Sequence, residues 1–246
     1  MSNNIFYDQL SSNYDLMINF ENSLKSKIEN LKKFIEPNFK TALDLGCGTG
    51  VDSIALSQLG LKITAVDNSE EMLKIAKDNF EKHNCEIDFI KSDLTKINSN
   101  YKFDLIISLG NTLANLSLKE LEILFFHLKQ LLNENGKILI QIINFSSIPK
   151  SEDYILNKFE NDEILIVRKY QFINNEINFV IDIFDKIKNR QKEIVTKLFP
   201  HNSEKISYLA NQNNLQIELF GNLKMEKFNL DISKDLVIIL SNKSTD

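Results

Sequence analysis

Apolar residues recur at every third or fourth position through the first 35 residues and then change period. Phe6, Leu10, Tyr14 and Met17 fall on one face of a helix over residues 5–20. Leu24, Ile28, Leu31 and Ile35 do the same over residues 23–35, ahead of Pro37. From residue 39 onward, short apolar runs alternate with helical periods. The runs at 41–45, 62–66, 87–91, 103–109 and 137–144 predict strands. Residues 51–59 and 118–132 predict helices, the first closed by Gly60 and the second by the turn signal Asn135-Gly136. A further helix is expected after Ser69, whose hydroxyl can cap it ahead of Glu70, Glu71 and Met72. Alternation of this kind implies parallel strands joined by right-handed crossovers.

The pattern changes after residue 150. Residues 163–172 and 176–185 are β-rich and meet at Asn174-Asn175, which predicts an antiparallel hairpin, with 192–199 as a third strand. A helix at 203–213 and strands at 215–220 and 235–240 complete the chain. The expected architecture is α/β: a doubly wound, seven-stranded, mostly parallel sheet with an antiparallel β insertion. Its expected segments are an N-terminal helical lid (1–38), a core (39–148 and 201–246) and the insertion (149–200) over the pocket.

Composition narrows the class of function. The chain has 246 residues, 43% of them hydrophobic, enough for one large core. Its net charge is −5 and its basic residues are spread thinly, whereas a nucleic-acid binder concentrates positive charge against phosphates. RNA and DNA are therefore not expected as partners. No apolar run approaches the roughly 18–20 residues that span a bilayer, and the start Met1-Ser2-Asn3-Asn4 lacks a secretory pattern. A cytoplasmic location and no membrane partner are expected. Cys47 and Cys85 are expected to be reduced thiols, and with His83, His127 and His201 scattered, no metal site is expected.

The strongest local signal is Leu43-Asp44-Leu45-Gly46-Cys47-Gly48-Thr49-Gly50, at the end of the first predicted parallel strand and opening a helix. Glycines there let the backbone turn tightly and lie against a ligand. The spacing is Gly-x-Gly-x-Gly with Val51 in sixth place, not the Gly-x-Gly-x-x-Gly of dinucleotide-binding loops. Asp67 ends the second strand 21 residues after Gly46, close to the ~20-residue spacing of an acid that accepts hydrogen bonds from a ribose diol. Ser92-Asp93-Leu94 follows the third strand. There Asp93 can accept from an adenine amino group while Leu94 packs on the ring, although Asp after a strand is also a common turn residue.

Over residues 39–145 this series resembles the class I S-adenosylmethionine-dependent methyltransferases: the glycine-rich loop, the acid at 67, the Asp93 position and the strand Phe103-Asp104-Leu105-Ile106-Ile107. The final pair of strands matches too. The resemblance implies a Rossmann-like methyltransferase fold and S-adenosylmethionine as cofactor, with S-adenosylhomocysteine as product. It carries the cofactor onto Asp44, Gly46, Cys47, Gly48, Asp67, Asn68, Met72, Asp93, Leu94, Leu109 and Gly110. A finer likeness lies in Leu109-Gly110-Asn111-Thr112-Leu113-Ala114-Asn115-Leu116, which is similar to the Leu-Gly-Asn-Ser-Phe-Ala-His-Leu segment of glycine and sarcosine N-methyltransferases. Phe199-Pro200-His201 looks like a Tyr-Pro-His segment of that group, and Tyr14-Asp15 like a lid motif.

These likenesses imply methyl transfer to a small soluble acceptor, an amine or amino-acid nitrogen, by in-line displacement. Asn111 and Tyr14 are the candidate catalytic residues. Asn111, Arg168, Tyr170 and His201 are the candidate substrate-binding residues. An amide offers donors and an acceptor to a polar substrate, and a guanidinium forms a bidentate pair with carboxylate. Open alternatives are a thiol, hydroxyl or carboxylate acceptor, an NAD-dependent oxidoreductase, and a module that holds the cofactor without catalysis. The sequence specifies no oligomeric state.

Overall fold

The structure is a computed structural model that describes residues 3–97, 101–150, 153–174 and 176–243. Two helices open it, α1 (Asn3–Ile18) and α2 (Phe20–Leu31). They part at Asn19, which adopts φ 52, a left-handed conformation that asparagine tolerates better than most side chains. Ser23 Oγ donates to the Ile18 carbonyl at 2.5 Å, satisfying a group released by the break. The second helix thus begins three residues before the expected position and ends four before it, the chain tightening into a 3₁₀ turn at Lys32–Phe34.

The core then alternates as β1 (Thr41–Leu45), α3 (Val51–Gln58), β2 (Lys62–Asp67), α4 (Glu70–Lys82), β3 (Ile87–Lys91), β4 (Phe103–Ser108), α5 (Leu118–Leu131) and β5 (Leu132–Ile143). Helix α5 starts on a capping box. Ser117 Oγ accepts from Glu120 N, and the Glu120 carboxylate accepts from Ser117 N at 2.7 Å. Its far end differs from expectation, because β5 begins directly at Leu132. Asn135-Gly136 lies inside that strand, where the β4–β5 register shifts between Phe103 and Leu105. A Cβ on Gly136 would stand 3.0 Å from the carbonyl oxygens of Phe103 and Asp104, so the glycine marks a close approach at a bulge, not a turn.

The antiparallel insertion has four strands, β6 (Asp153–Glu160), β7 (Ile164–Ile173), β8 (Glu176–Asp185) and β9 (Arg190–Leu198), paired in that order. The first of them was not expected. Asn175, half of the expected hairpin turn, lies outside the described residues. Helix α6 (Ser203–Gln212) and strands β10 (Leu215–Phe220) and β11 (Asp235–Asn242) close the chain. The main sheet runs β10-β11-β5-β4-β1-β2-β3, with β11 antiparallel to both neighbours and the other core pairs parallel. This is the expected doubly wound, seven-stranded arrangement.

Three apolar clusters hold the layers together. Leu121, Leu124, Phe125 and Leu128 of α5 and Ile206 and Leu209 of α6 pack on one face of the sheet. Phe20, Leu24, Ile54, Leu56 and Phe80 pack on the other. The third joins Phe6, Leu10 and Met17 of α1 to the inner face of the insertion, including Ile166, Phe179, Ile181 and Leu198. Helix α1 is thereby clamped between the insertion and the carboxyl ends of the parallel strands. Removing the α5 cap with Ser117→Ala is expected to lower stability by about 1 kcal/mol. Urea denaturation would read this as a lower midpoint at an unchanged slope.

Candidate functional site

The sheet order reverses between β1 and β4, and ligands of open α/β sheets bind at that switch point, beyond the carboxyl ends of the strands. A cavity of about 380 Å³ lies there. Its floor is the loop after β1, in which Gly46, Gly48 and Gly50 have φ of 77, 55 and 91. Packing explains two of these glycines. A Cβ on Gly46 would stand 2.4 Å from Thr112 Cγ2, and one on Gly50 2.3 Å from the Phe80 ring. Gly48 instead lies under the Tyr14 ring, which would stand 3.8 Å from a Cβ there. Its backbone lines the cavity without a side chain of its own.

Asp67, at the end of β2, fixes the loop. Its Oδ2 accepts from Gly48 N at 2.8 Å and its Oδ1 from Ser69 N at 2.9 Å. Ser69 in turn caps α4 by accepting from Met72 N at 3.1 Å, and it donates to Asp8 of α1 at 2.6 Å. Burial pushes the Asp67 carboxyl above the usual range, against the lowering effect of these backbone donors. A carboxylate has about four acceptor positions, more than the backbone donors of Gly48, Ser69 and Asn68 occupy, so a ligand hydroxyl can still be accepted.

Leu94, Leu109, Leu116 and Met72 supply apolar walls, and Cys47, Asn68, Asp93 and Gly110 line the same cavity. Asp93 also serves as the turn residue, its Oδ1 accepting from Thr95 N and Oγ1 at 2.8 and 2.7 Å. Four carboxylates (Asp52, Asp67, Asp93 and Glu120) line the cavity and, among the described residues, no lysine or arginine does, although Lys27 pairs with Asp52 from outside the lining at 2.7 Å. Such a cavity suits a cationic ligand and opposes a pyrophosphate. Asp44 is placed differently from expectation: it lies beneath the loop, off the cavity lining, and accepts from Ser53 Oγ of α3 at 2.6 Å. Burial and the nearby Asp52 charge raise its carboxyl well above the ordinary range.

A second cavity of about 160 Å³ adjoins the first, sharing Tyr7, Tyr14 and Gly110 as lining. Asn111, Arg168 and Tyr170 line it, as do Gln141 and Asp235, for which the sequence offered only strand positions. Asn111 sits at φ 69 and its Oδ1 accepts from Ile143 N at 2.9 Å, which fixes the amide against β5. Arg168 is a cation set in the apolar inner face of the insertion, between Ile166 and Tyr170, with its Cζ 5.8 Å from the Phe179 ring centroid. Its Nε is buried and makes no hydrogen bond. Burial pushes the Tyr7 phenol up to about 12 and moves Tyr14 and Tyr170 well above the ordinary tyrosine value. All three remain neutral phenols near pH 7. His201 is not brought to either cavity. It is buried beside a separate depression, with Nε2 2.9 Å from the Leu116 carbonyl, and burial lowers its pKa.

Comparisons with known proteins bear on this geometry. Residues 42–136 match the family model described as "Methyltransferase domain". That stretch of the chain is a methyltransferase domain. Ribosomal protein L11 methyltransferase of Thermosipho africanus is 34% identical over 125 residues, which is 50% of this chain and 45% of that protein. The chain thus spans less than half the length of this curated relative. Among solved structures, an S-adenosylmethionine-dependent methyltransferase from Clostridium acetobutylicum superimposes with a TM-score of 0.77 at 20% identity, covering 97% of this chain and 99% of that one. The sugar N-methyltransferase KedS8 from a Streptoalloteichus species gives 0.73 at 15% identity, covering 94% and 93%. The architecture is therefore the Rossmann-like fold shared with these methyltransferases.

The residues present fit S-adenosylmethionine: a glycine loop on the cavity floor, a carboxylate at the end of β2, apolar walls and an acidic lining for a sulfonium. No helix among the described residues is long and apolar enough to cross a membrane. If Asp67 both builds the loop and binds the ligand, Asp67→Ala should weaken S-adenosylhomocysteine at least tenfold by calorimetry. Asp67→Asn, which retains one acceptor oxygen, should lose less.

Proposed function

We propose that the whole chain transfers a methyl group from S-adenosylmethionine to the nitrogen of a small amine or amino acid. The observation that carries this reading is the second cavity, with the buried, unpartnered Nε of Arg168 on its wall and its lining shared with the cofactor cavity at Gly110, Tyr7 and Tyr14. At about 160 Å³ it is close to an apolar cavity known to hold benzene, so it takes a small molecule or the tip of a larger one.

The cofactor supplies a methyl carbon already activated by a positive sulfur, so the chain needs no strong nucleophile of its own. Its contribution is orientation and exclusion of water. Tyr14 stands over Gly48 and spans the boundary of the two cavities. Asn111 holds the mouth between β4 and β5, and Tyr170 forms the opposite wall. Helix α1 acts as a lid tied to the cofactor loop through Asp8–Ser69 and through Asn79 Nδ2, which donates to Asp15 at 2.9 Å. The insertion covers the acceptor. Arg168 would pair with an anionic group of that acceptor. The Gly110-Asn111 segment supports the likeness to glycine and sarcosine N-methyltransferases, and amine methylation on this fold has a counterpart in KedS8.

A protein acceptor is the second reading, favoured by the similarity to ribosomal protein L11 methyltransferase. The small enclosed cavity favours the first. Transfer of a labelled methyl group can be followed by mass spectrometry against amino acids, amino sugars and purified L11. Label on a small amine is expected, with Arg168→Met raising the acceptor KM tenfold or more at unchanged cofactor affinity. Label on L11 alone would select the second reading, and no transfer to any of them would overturn both.

A further inference from the structure

The acceptor cavity carries a cation on one wall and a carboxylate on another. Arg168 supplies the first. Asp235 supplies the second, and the topology of the sheet explains how. Strand β11 runs antiparallel to β5, so its first residue lies at the edge where the parallel strands end. Asp235 stands opposite Ile143, and Gln141 is the diagonal neighbour on the same face. Gln141 Nε2 donates to Asp235 Oδ2 at 3.1 Å. Asn111, held on Ile143 N, completes this polar corner.

The surroundings leave Asp235 without a cation of its own. Burial raises its pKa, the bond from Gln141 lowers it, and Lys27 and Lys234 lower it further. Lys27, however, is committed to Asp52 at 2.7 Å, and Lys234 is exposed. From β7, Arg168 and Tyr170 face the same cavity, and from α1 come the neutral phenols of Tyr7 and Tyr14. Among the described residues Asp235 makes no ion pair. A half-buried carboxylate on a cavity wall is costly to leave unpaired, and a ligand bearing positive charge removes that cost.

We infer that Asp235, oriented by Gln141, recognises the ammonium group of the acceptor, takes the proton that this nitrogen must lose before its lone pair can attack the methyl carbon, and so restricts this pocket to amines. This rests on the methyl-transfer reading and gives it a chemical selectivity. A hydroxyl acceptor would gain only a neutral hydrogen bond, and a second carboxylate would be repelled. A charge-assisted bond is about twice as strong as a neutral one, enough for a preference of tenfold or more. Protonation of Asp235 at low pH removes its charge. The preference is therefore present above the raised pKa of Asp235 and is lost as pH falls through it.

The test uses matched pairs differing only in the nitrogen: glycine against glycolate, β-alanine against 3-hydroxypropionate, and ethanolamine against ethylene glycol. Each is titrated calorimetrically into the full chain saturated with S-adenosylhomocysteine. The wild type should bind at least one amine tenfold or more tighter than its hydroxyl partner. Asp235→Asn, which keeps an acceptor atom for Gln141, should bring the ratio to within about twofold of unity, and Asp235→Glu should restore part of it. The affinity for S-adenosylhomocysteine should stay within about twofold in both variants, because Asp235 does not line that cavity. A wild type without amine preference, no amine binding at all, or a preference that survives Asp235→Asn would overturn the inference. Failure of S-adenosylhomocysteine itself to bind would instead overturn the methyl-transfer reading.

Discussion

Asp67 ties together three parts of the chain that are far apart in sequence. One oxygen holds the glycine loop after β1 through Gly48 N, and the other holds the start of α4 through Ser69 N. Ser69 then carries the connection to α1 through Asp8. The glycine loop cannot find this shape alone, because its three glycines occupy left-handed conformations with the largest backbone entropy to lose. The carboxylate supplies the acceptors that compensate the ordering. Burial raises the free energy of its charged form, so the loop, helix α1 and the charge state of one side chain are coupled. A ligand that donates hydrogen bonds to Asp67 acts on all three.

The two cavities divide the chemistry by charge. Among the described residues, the charged groups lining the larger are all carboxylates, whereas one arginine and one aspartate line the smaller on separate walls. Tyr7, Tyr14 and Gly110 form the boundary, where a methyl group would cross. The phenols there are too weakly acidic to act as bases near neutral pH. They can still orient groups and exclude water. Asn115 Nδ2 donates to the Tyr7 hydroxyl at 3.1 Å, so that ring is fixed from the segment after β4. Positioning of this kind is what a reaction with an already activated donor requires.

The parallel core was legible because each strand is a short apolar run bounded by turn residues, and because the glycine loop and Asp67 are local patterns. Strand β6 was not, since its eight residues include Asp, Asn, Lys and Glu, none is fully buried, and no period emerges. The position of Gly136 was misread because a glycine that permits close strand approach looks the same as one that makes a turn. Asp44 and His201 were expected at the site, yet their partners, Ser53 and the Leu116 carbonyl, are set by packing beneath it and beside it. Conversely, Asp235 reads as an ordinary strand opening until the antiparallel placement of β11 brings it to the cavity. Arg168 was legible as a candidate because a guanidinium on a β-rich insertion matches a carboxylate-bearing ligand.

The acidic lining and Gly-x-Gly-x-Gly loop of the larger cavity suit a cationic adenosyl sulfonium and not a dinucleotide. Calorimetric titration of the full chain with S-adenosylmethionine, S-adenosylhomocysteine and NAD tests it directly. One site per chain is expected for both sulfur ligands, with competition between them and no heat of binding with NAD. Saturable binding of NAD, or absence of binding by both sulfur ligands, would contradict it.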